Sequence, residues 1–260
     1  MREPTNPLPD SCTTSPPPTP PSTVGELRTI GEIAASIVAK LPSDVDRARA
    51  EQLQLEAIER QERATRQRRW LELVAQVGRR YEHARLATFE ATTEAQRSVV
   101  ESLSDFAGKI SEAIAAGRNL VLFGPRGTGK DHLLVAMMRA AIADGWTVAW
   151  RDGQSLFSEF RDAIDTDRSE AKLFEPLTSP GVFALSDPTP PTGDTKSDWQ
   201  RSILFRIIDR RYRDLKPTWV TINAANIEEA EKRITPNIID RLSHDAVILR
   251  CNWKSFRTGR

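Results

Sequence analysis

Residues 124–130 read Gly-Pro-Arg-Gly-Thr-Gly-Lys and constrain the fold more than any other stretch. Asn119-Leu-Val-Leu-Phe123 before them is a short apolar run of buried-strand type, and Asp131-His-Leu-Leu-Val-Ala-Met-Met138 after them reads as the start of a helix. Strand, G-x-x-x-x-G-K and helix, in that order, make a phosphate-binding loop. The glycines let the backbone turn so that successive N–H groups converge on phosphate oxygens, and the helix presents its positive end to the same anion. Gly124, Pro125, Arg126, Gly127, Thr128, Gly129, Lys130, Asp131 and His132 are therefore the candidate binding residues, with Lys130 reaching the β- and γ-phosphates. One position departs from the pattern. Residue 131 is Asp, where a Ser or Thr hydroxyl ordinarily ligates Mg²⁺.

Strand and helix alternate through the rest of the chain. Asn119–Phe123, Trp146–Trp150, Val182–Leu185, Thr218–Ile222 and Ala246–Arg250 are the expected strands. His132–Ala143, Gln154–Ile164, Asp198–Arg213 and Ile227–Arg241 are the expected helices between them. Short apolar strands separated by helices predict a buried parallel sheet, whose ligands sit at the carboxyl ends of the strands. The third strand ends in Ser186-Asp187 and the fourth in Thr221-Ile222-Asn223. An apolar strand ending in an acid is the usual partner of a phosphate loop, holding Mg²⁺ or activating the attacking water. Asp187 takes that place, with Asn223 as a second polar group that can bond the water or the γ-phosphate.

Residues 1–24 hold eight of the seventeen prolines and almost no large apolar side chain, which predicts a disordered tail or a ligand for a proline-binding domain. From about residue 25 to 80 the composition is helical: an apolar period at Leu27, Ile30, Ile33 and Ile37, then a long helix from Asp44 that continues past Trp70. Arg60, Arg63 and Arg66 form a stripe on that helix. It reads either as a phosphate-tracking or partner-docking face, or as a solvated face paired with Glu56, Glu59 and Glu62. Tyr81–Phe89 reads as a connector, followed by a helix from Thr92 or Thr93 to about Ala115. The net charge of +1 argues against a globally basic nucleic-acid coat, and Cys12 and Cys251 have no metal or disulfide spacing. No apolar run approaches a membrane span, so the expectation is a soluble, cytoplasmic chain with no membrane partner.

The whole pattern resembles the DnaC/IstB-like branch of the AAA+ ATPases, the helicase loaders and transposition helpers. The stretches that carry the resemblance are RLATFE (85–90), NLVLFGPRGTGKDHLL (119–134), WQRSILFRIIDRRY (199–212), KPTWVTIN (216–223), IIDRL (238–242) and NWKSFR (252–257), so that it covers roughly residues 80–260. It implies a five-stranded parallel AAA+ sheet flanked by helices over 81–260, without a separate lid domain, behind a helical partner-docking arm over 25–80. It also implies ATP and Mg²⁺ bound between self-associating subunits, with Arg241 reaching the neighbour's nucleotide, Arg257 sensing nucleotide, and Leu86 and Phe89 beside the adenine. The implied partners are a replicative helicase or a transposase, and single-stranded DNA.

Two acids carry the expected metal site, Asp131 and Asp187. Ser186 stands where an Asp is usual, so one carboxylate is read as moved from the third strand to the phosphate loop. The favoured function is a DnaC-type helicase loader that hydrolyses ATP during DNA replication. The alternatives are an IstB-like transposition helper, and a nucleotide-gated adaptor with little hydrolysis. For DNA contact, Arg201, Arg206, Arg210, Arg211 and Arg213 are candidates, with Arg250, Lys254, Arg257 and Arg260 of the tail.

Overall fold

The computed structural model describes residues 29–38, 44–166, 169–189 and 196–257. The proline-rich tail, most of the loop after the third strand, and Arg260 lie outside them. The chain divides into two compact units, Met1–Ile58 and Glu59–Arg260. In the first, helix α1 (Ile30–Val38) is followed by the beginning of α2 (Asp44–Val77). From Glu59 onward α2 belongs to the second unit, because Trp70, Leu73, Val74 and Val77 are buried in its core. The division into compact units falls at residue 59, within α2. Arg63 and Arg66 pair with Glu59 and Glu62, while Arg66 and Arg69 donate to the carbonyls of Ala143 and Gly145. Arg63 and Arg66 of the stripe are thus held by helix pairing, and Arg66 also by the Ala143 carbonyl.

Five strands, β1 (Asn119–Phe123), β2 (Val148–Asp152), β3 (Val182–Ser186), β4 (Thr218–Ile222) and β5 (Ala246–Arg250), form one parallel sheet in the order β2-β3-β4-β1-β5. The two-residue alternation of a strand divides the buried side chains between two layers. Leu120, Leu122, Val182, Ala184 and Trp219 face α3 (Glu94–Gly108), α4 (Ile110–Ala115), α5 (Lys130–Ala143) and the end of α2. Val121, Phe183, Leu185, Val220 and Ile222 face the other layer: α6 (Gly153–Asp165), α7 (Glu170–Thr178), α8 (Lys196–Arg213), α9 (Ile227–Ile234) and α10 (Pro236–Ser243). The expected α/β fold is present.

Local chemistry explains where elements start and stop. Thr93 begins α3 through a capping box: its Oγ accepts from the Gln96 amide, and Gln96 Oε1 accepts from the Thr93 amide at 2.8 Å. β2 begins two residues later than its apolar run suggests, because Gly145 (φ +96°) and Trp146 are spent closing α5, with Trp146 N bonded to Ala141 O at 2.9 Å. The single helix expected over 227–241 is two, broken at Thr235 (φ 137°) ahead of Pro236, which lacks the N–H to continue the first helix and is well suited to start the second. The sequence reading gave no element for α7; Phe174 and Leu177 bury it, and Phe174 meets Phe160 edge-on at 5.0 Å.

Candidate nucleotide-binding site

β1 delivers the chain to Gly124, where the loop turns against β5. Cys251 N donates to Phe123 O at 2.7 Å, and a Cβ on Gly124 would stand 2.2 Å from Cys251 O. Gly127 and Gly129 hold φ near +82°, a conformation that costs glycine little, and α5 starts at once from Lys130. Lys130 is 5% exposed, and its Nζ donates to Gly124 O at 2.9 Å and Pro125 O at 2.6 Å. Burial pushes its pKa down, against the opposing pull of Asp131 and Asp187. The ammonium therefore sits inside the loop, bonded to groups that a stronger anionic acceptor can replace.

The ends of β3 and β4 stand beside this loop. Asp131 Oδ1 accepts from Ser186 Oγ at 2.8 Å and from Thr221 Oγ1 at 2.9 Å. Asp187 has φ 44°, and its carboxylate accepts from Asn223 Nδ2 at 2.6 Å and Thr189 Oγ1 at 2.6 Å. Its amide is fixed by Thr221 O at 2.9 Å. The structure thus gathers Lys130, Asp131, Asp187 and Asn223 around one cavity of about 610 Å³. Oxygen donors from two carboxylates suit a hard cation such as Mg²⁺, which takes one or two protein carboxylates and completes its shell with phosphate and water. The donor set and the glycine loop fit ATP with Mg²⁺.

The segment after β5 closes the opposite side. Phe256 N donates to Gly127 O at 2.8 Å and Trp253 Nε1 to Thr128 O at 2.9 Å, so the far side of the loop is strapped to the C-terminal residues. Phe89 packs at 5.5 Å from Phe256 and 5.8 Å from His132, forming an aromatic wall. Arg257 also lines the cavity and is hydrogen-bonded to the Tyr81 side chain, whose pKa burial raises. Arg80, Tyr81 and Phe256 line the cavity but were not among the sequence candidates. Phe256 lay inside the SFR element and could have been taken with Arg257.

Other candidates lie elsewhere. Leu86 is half-buried against the first core layer and is not a lining residue of the cavity, whereas Phe89 is. Pro125 and Thr128 shape the loop from behind, Thr128 Oγ1 donating to Pro125 O at 3.0 Å. Arg241 is on α10, whose backbone meets β1 at its start: Asn119 Nδ2 donates to Arg241 O at 3.0 Å. That is the amino end of the strands, opposite the end that carries the phosphate loop. The guanidinium bonds Asp209 at 3.0 Å and lies 4.7 Å from the Phe205 ring centre. Arg211, one of the arginines assigned to DNA contact, is fully buried and donates to the carbonyls of Leu177, Thr178, Pro180, Gly181 and Pro217. Desolvation pulls its pKa down to about 9. It ties α8 to the ends of α7 and β3 and cannot meet a nucleic acid.

Comparison with known proteins agrees with this geometry. A protein of Sinorhizobium fredii named as an insertion sequence ATP-binding protein is 31% identical over 148 residues, 55% of this chain and 48% of its own length. The ATP-binding protein of insertion sequence IS5376 from Geobacillus stearothermophilus is 28% identical over 144 residues, 54% of this chain and 55% of its own. The chain thus matches about half the length of these curated relatives. Among solved structures, the DnaC helicase loader superposes with a TM-score of 0.60 at 24% identity, over 66% of this chain and 99% of that one. DnaI gives 0.55 at 16% identity, over 68% and 93%. These likenesses establish the fold. The family model described as IstB-like ATP binding protein matches residues 26–260, and the chain belongs to that family.

Proposed function

We propose that this protein hydrolyses ATP with Mg²⁺ in the cavity above α5, at a site completed by a second copy, to assist a transposase acting on double-stranded DNA. The observation that carries the reading is the meeting of buried Lys130, Asp131 and Asp187 at the ends of β1, β3 and β4. Family membership and the names of the insertion-sequence relatives favour the transposition role over the loader role. The likeness to helicase loaders supports a common fold.

Binding would draw Lys130 Nζ from the carbonyls of Gly124 and Pro125 onto the phosphates, while the N–H groups at the start of α5 take the remaining oxygens. When bound, Mg²⁺ supplies charge neutralisation at the β- and γ-phosphates, and Asp131 and Asp187 are the side chains that would hold it. In hydrolysis the water oxygen bonds to the γ-phosphorus as the bond to the bridging oxygen breaks, and Asp187 receives the water's proton. Both oxygens of Asp187 are already bonded, one to Asn223 and one to Thr189. Each oxygen keeps a second lone pair, so the acid can engage the water with both bonds in place. The aromatic wall of Phe89 and Phe256 would stack on the base.

Steady-state ATP hydrolysis by wild type and Lys130→Ala, alone and with single- or double-stranded DNA, tests this reading. The expected result is turnover that needs Lys130 and rises more with double-stranded DNA. Preference for single strands would favour the loader. ATP binding without turnover would make the protein a nucleotide-gated adaptor.

A further inference from the structure

Between α5 and the ends of β3 and β4, two hydroxyls converge on one carboxylate oxygen. Asp131 Oδ1 receives the Ser186 and Thr221 hydroxyls at 2.8 and 2.9 Å, and the two hydroxyl oxygens are 3.4 Å apart. Ser186 and Thr221 are 8% and 2% exposed, while Asp131 lines the cavity. Among the described residues no hydrogen bond reaches Oδ2 of Asp131. In phosphate-loop sites generally, the residue after the Lys supplies a hydroxyl to Mg²⁺ and the third strand supplies an Asp. This chain has the same two groups at hydrogen-bond distance with their positions exchanged. A hydroxyl at 131 and a carboxylate at 186 could make the same bond in the reverse sense.

We propose that Asp131 and Ser186 are a reciprocal exchange of the carboxylate and hydroxyl of the Mg²⁺ site, and that Thr221 is the positioning residue that makes the exchange work. The inference rests on the nucleotide reading above. Thr221 is suited to the task because it bonds the carboxylate of Asp131 and the main chain of Asp187. Its hydroxyl pins Oδ1 of Asp131, leaving Oδ2 for the cation. Its carbonyl takes the amide of Asp187 at 2.9 Å, and its hydroxyl lies 3.3 Å from the same nitrogen. One buried residue thereby ties the Asp131 carboxylate to the main chain of Asp187. A merely structural Asp131, serving as acceptor for two buried hydroxyls and as the acid in the first turn of α5, makes a different prediction. Asn would then replace it without effect on metal, since an amide oxygen accepts the same two bonds.

The test is the affinity for a fluorescent ATP analogue, measured in Mg²⁺ and in EDTA, with thermal melting to verify folding. In wild type Mg²⁺ tightens binding. Asp131→Asn loses that gain, yet in EDTA it binds equally or more tightly, because a negative charge beside the phosphates is gone. Thr221→Val reduces the Mg²⁺ gain by about tenfold, the usual cost of losing a group that orients a metal ligand, and Thr221→Ser retains it. Asp131→Thr alone loses the gain, and Asp131→Thr with Ser186→Asp recovers it. A full Mg²⁺ gain in Asp131→Asn, or no recovery in the exchanged pair, overturns the proposal even if Thr221→Val fails to fold. Absence of nucleotide binding by wild type in both conditions overturns the nucleotide reading itself, and the inference with it.

Discussion

Gly124 and Cys251 couple the phosphate loop to β5 one residue at a time. Gly124 has φ 150°, and any Cβ there would drive into the Cys251 carbonyl, a backbone atom that cannot swing aside. Gly124→Ala is expected to lower stability by roughly 1–3 kcal/mol for the conformation alone, with a further cost for the displaced strand; urea denaturation measures it. The Cys251 thiol is completely buried, which pushes its pKa up to about 12. In a Cys12→Ser background, Cys251 should resist alkylation at pH 8 until the protein is unfolded. The sign of its pH dependence follows from linkage. A thiol that holds its proton longer in the folded state contributes no loss below its ordinary value of 9.0 and a progressive loss as pH rises from there toward about 12. Cys251→Ala should therefore flatten the fall in melting temperature over that range.

Arg211 illustrates how an element can be legible while its side chains are not. The helix α8, expected over 198–213, runs from Lys196 to Arg213, and on sequence alone all five of its arginines are candidates for DNA contact. Only the packing of α7 and β3 against α8 distinguishes fully buried Arg211 from exposed Arg210, and that packing depends on a helix the sequence reading lacked. α7 escaped because it is nine residues long and contains Pro176. The strands and the loop were legible because continuous apolar runs, glycines and one Lys act locally. The Thr235-Pro236 break is legible too, from the Pro. Arg211→Ala should destabilise by at least about 1–3 kcal/mol, because it leaves buried carbonyls without a donor. Arg211→Lys should rescue little, since one ammonium cannot serve five carbonyls. Arg210→Ala should be near neutral, all three read by thermal or urea unfolding. The strap after β5 is an element in the same sense. Truncation after Cys251 removes the bonds from Trp253 and Phe256 to the loop and should weaken ATP binding while leaving the sheet folded, as equilibrium binding and far-ultraviolet circular dichroism would report.

At the scale of the whole molecule, the sheet separates Lys130 from Arg241. The first stands at the carboxyl end of β1, and the second beside its start, so one copy does not bring both to one phosphate. Arg241 is also held by Asp209, which keeps a second partner in Arg213 when Arg241 is removed, so Arg241→Ala should fold normally. In the proposed shared site Arg241 would reach the neighbouring copy's nucleotide, where such an arginine contributes roughly 10³–10⁵ in rate. The most direct measurement mixes two inactive variants, Lys130→Ala and Arg241→Ala, and follows ATP hydrolysis. Recovery of activity on mixing is the predicted result, because each variant supplies what the other lacks. Undiminished activity in Arg241→Ala alone, or no recovery in the mixture, would contradict a site shared between copies.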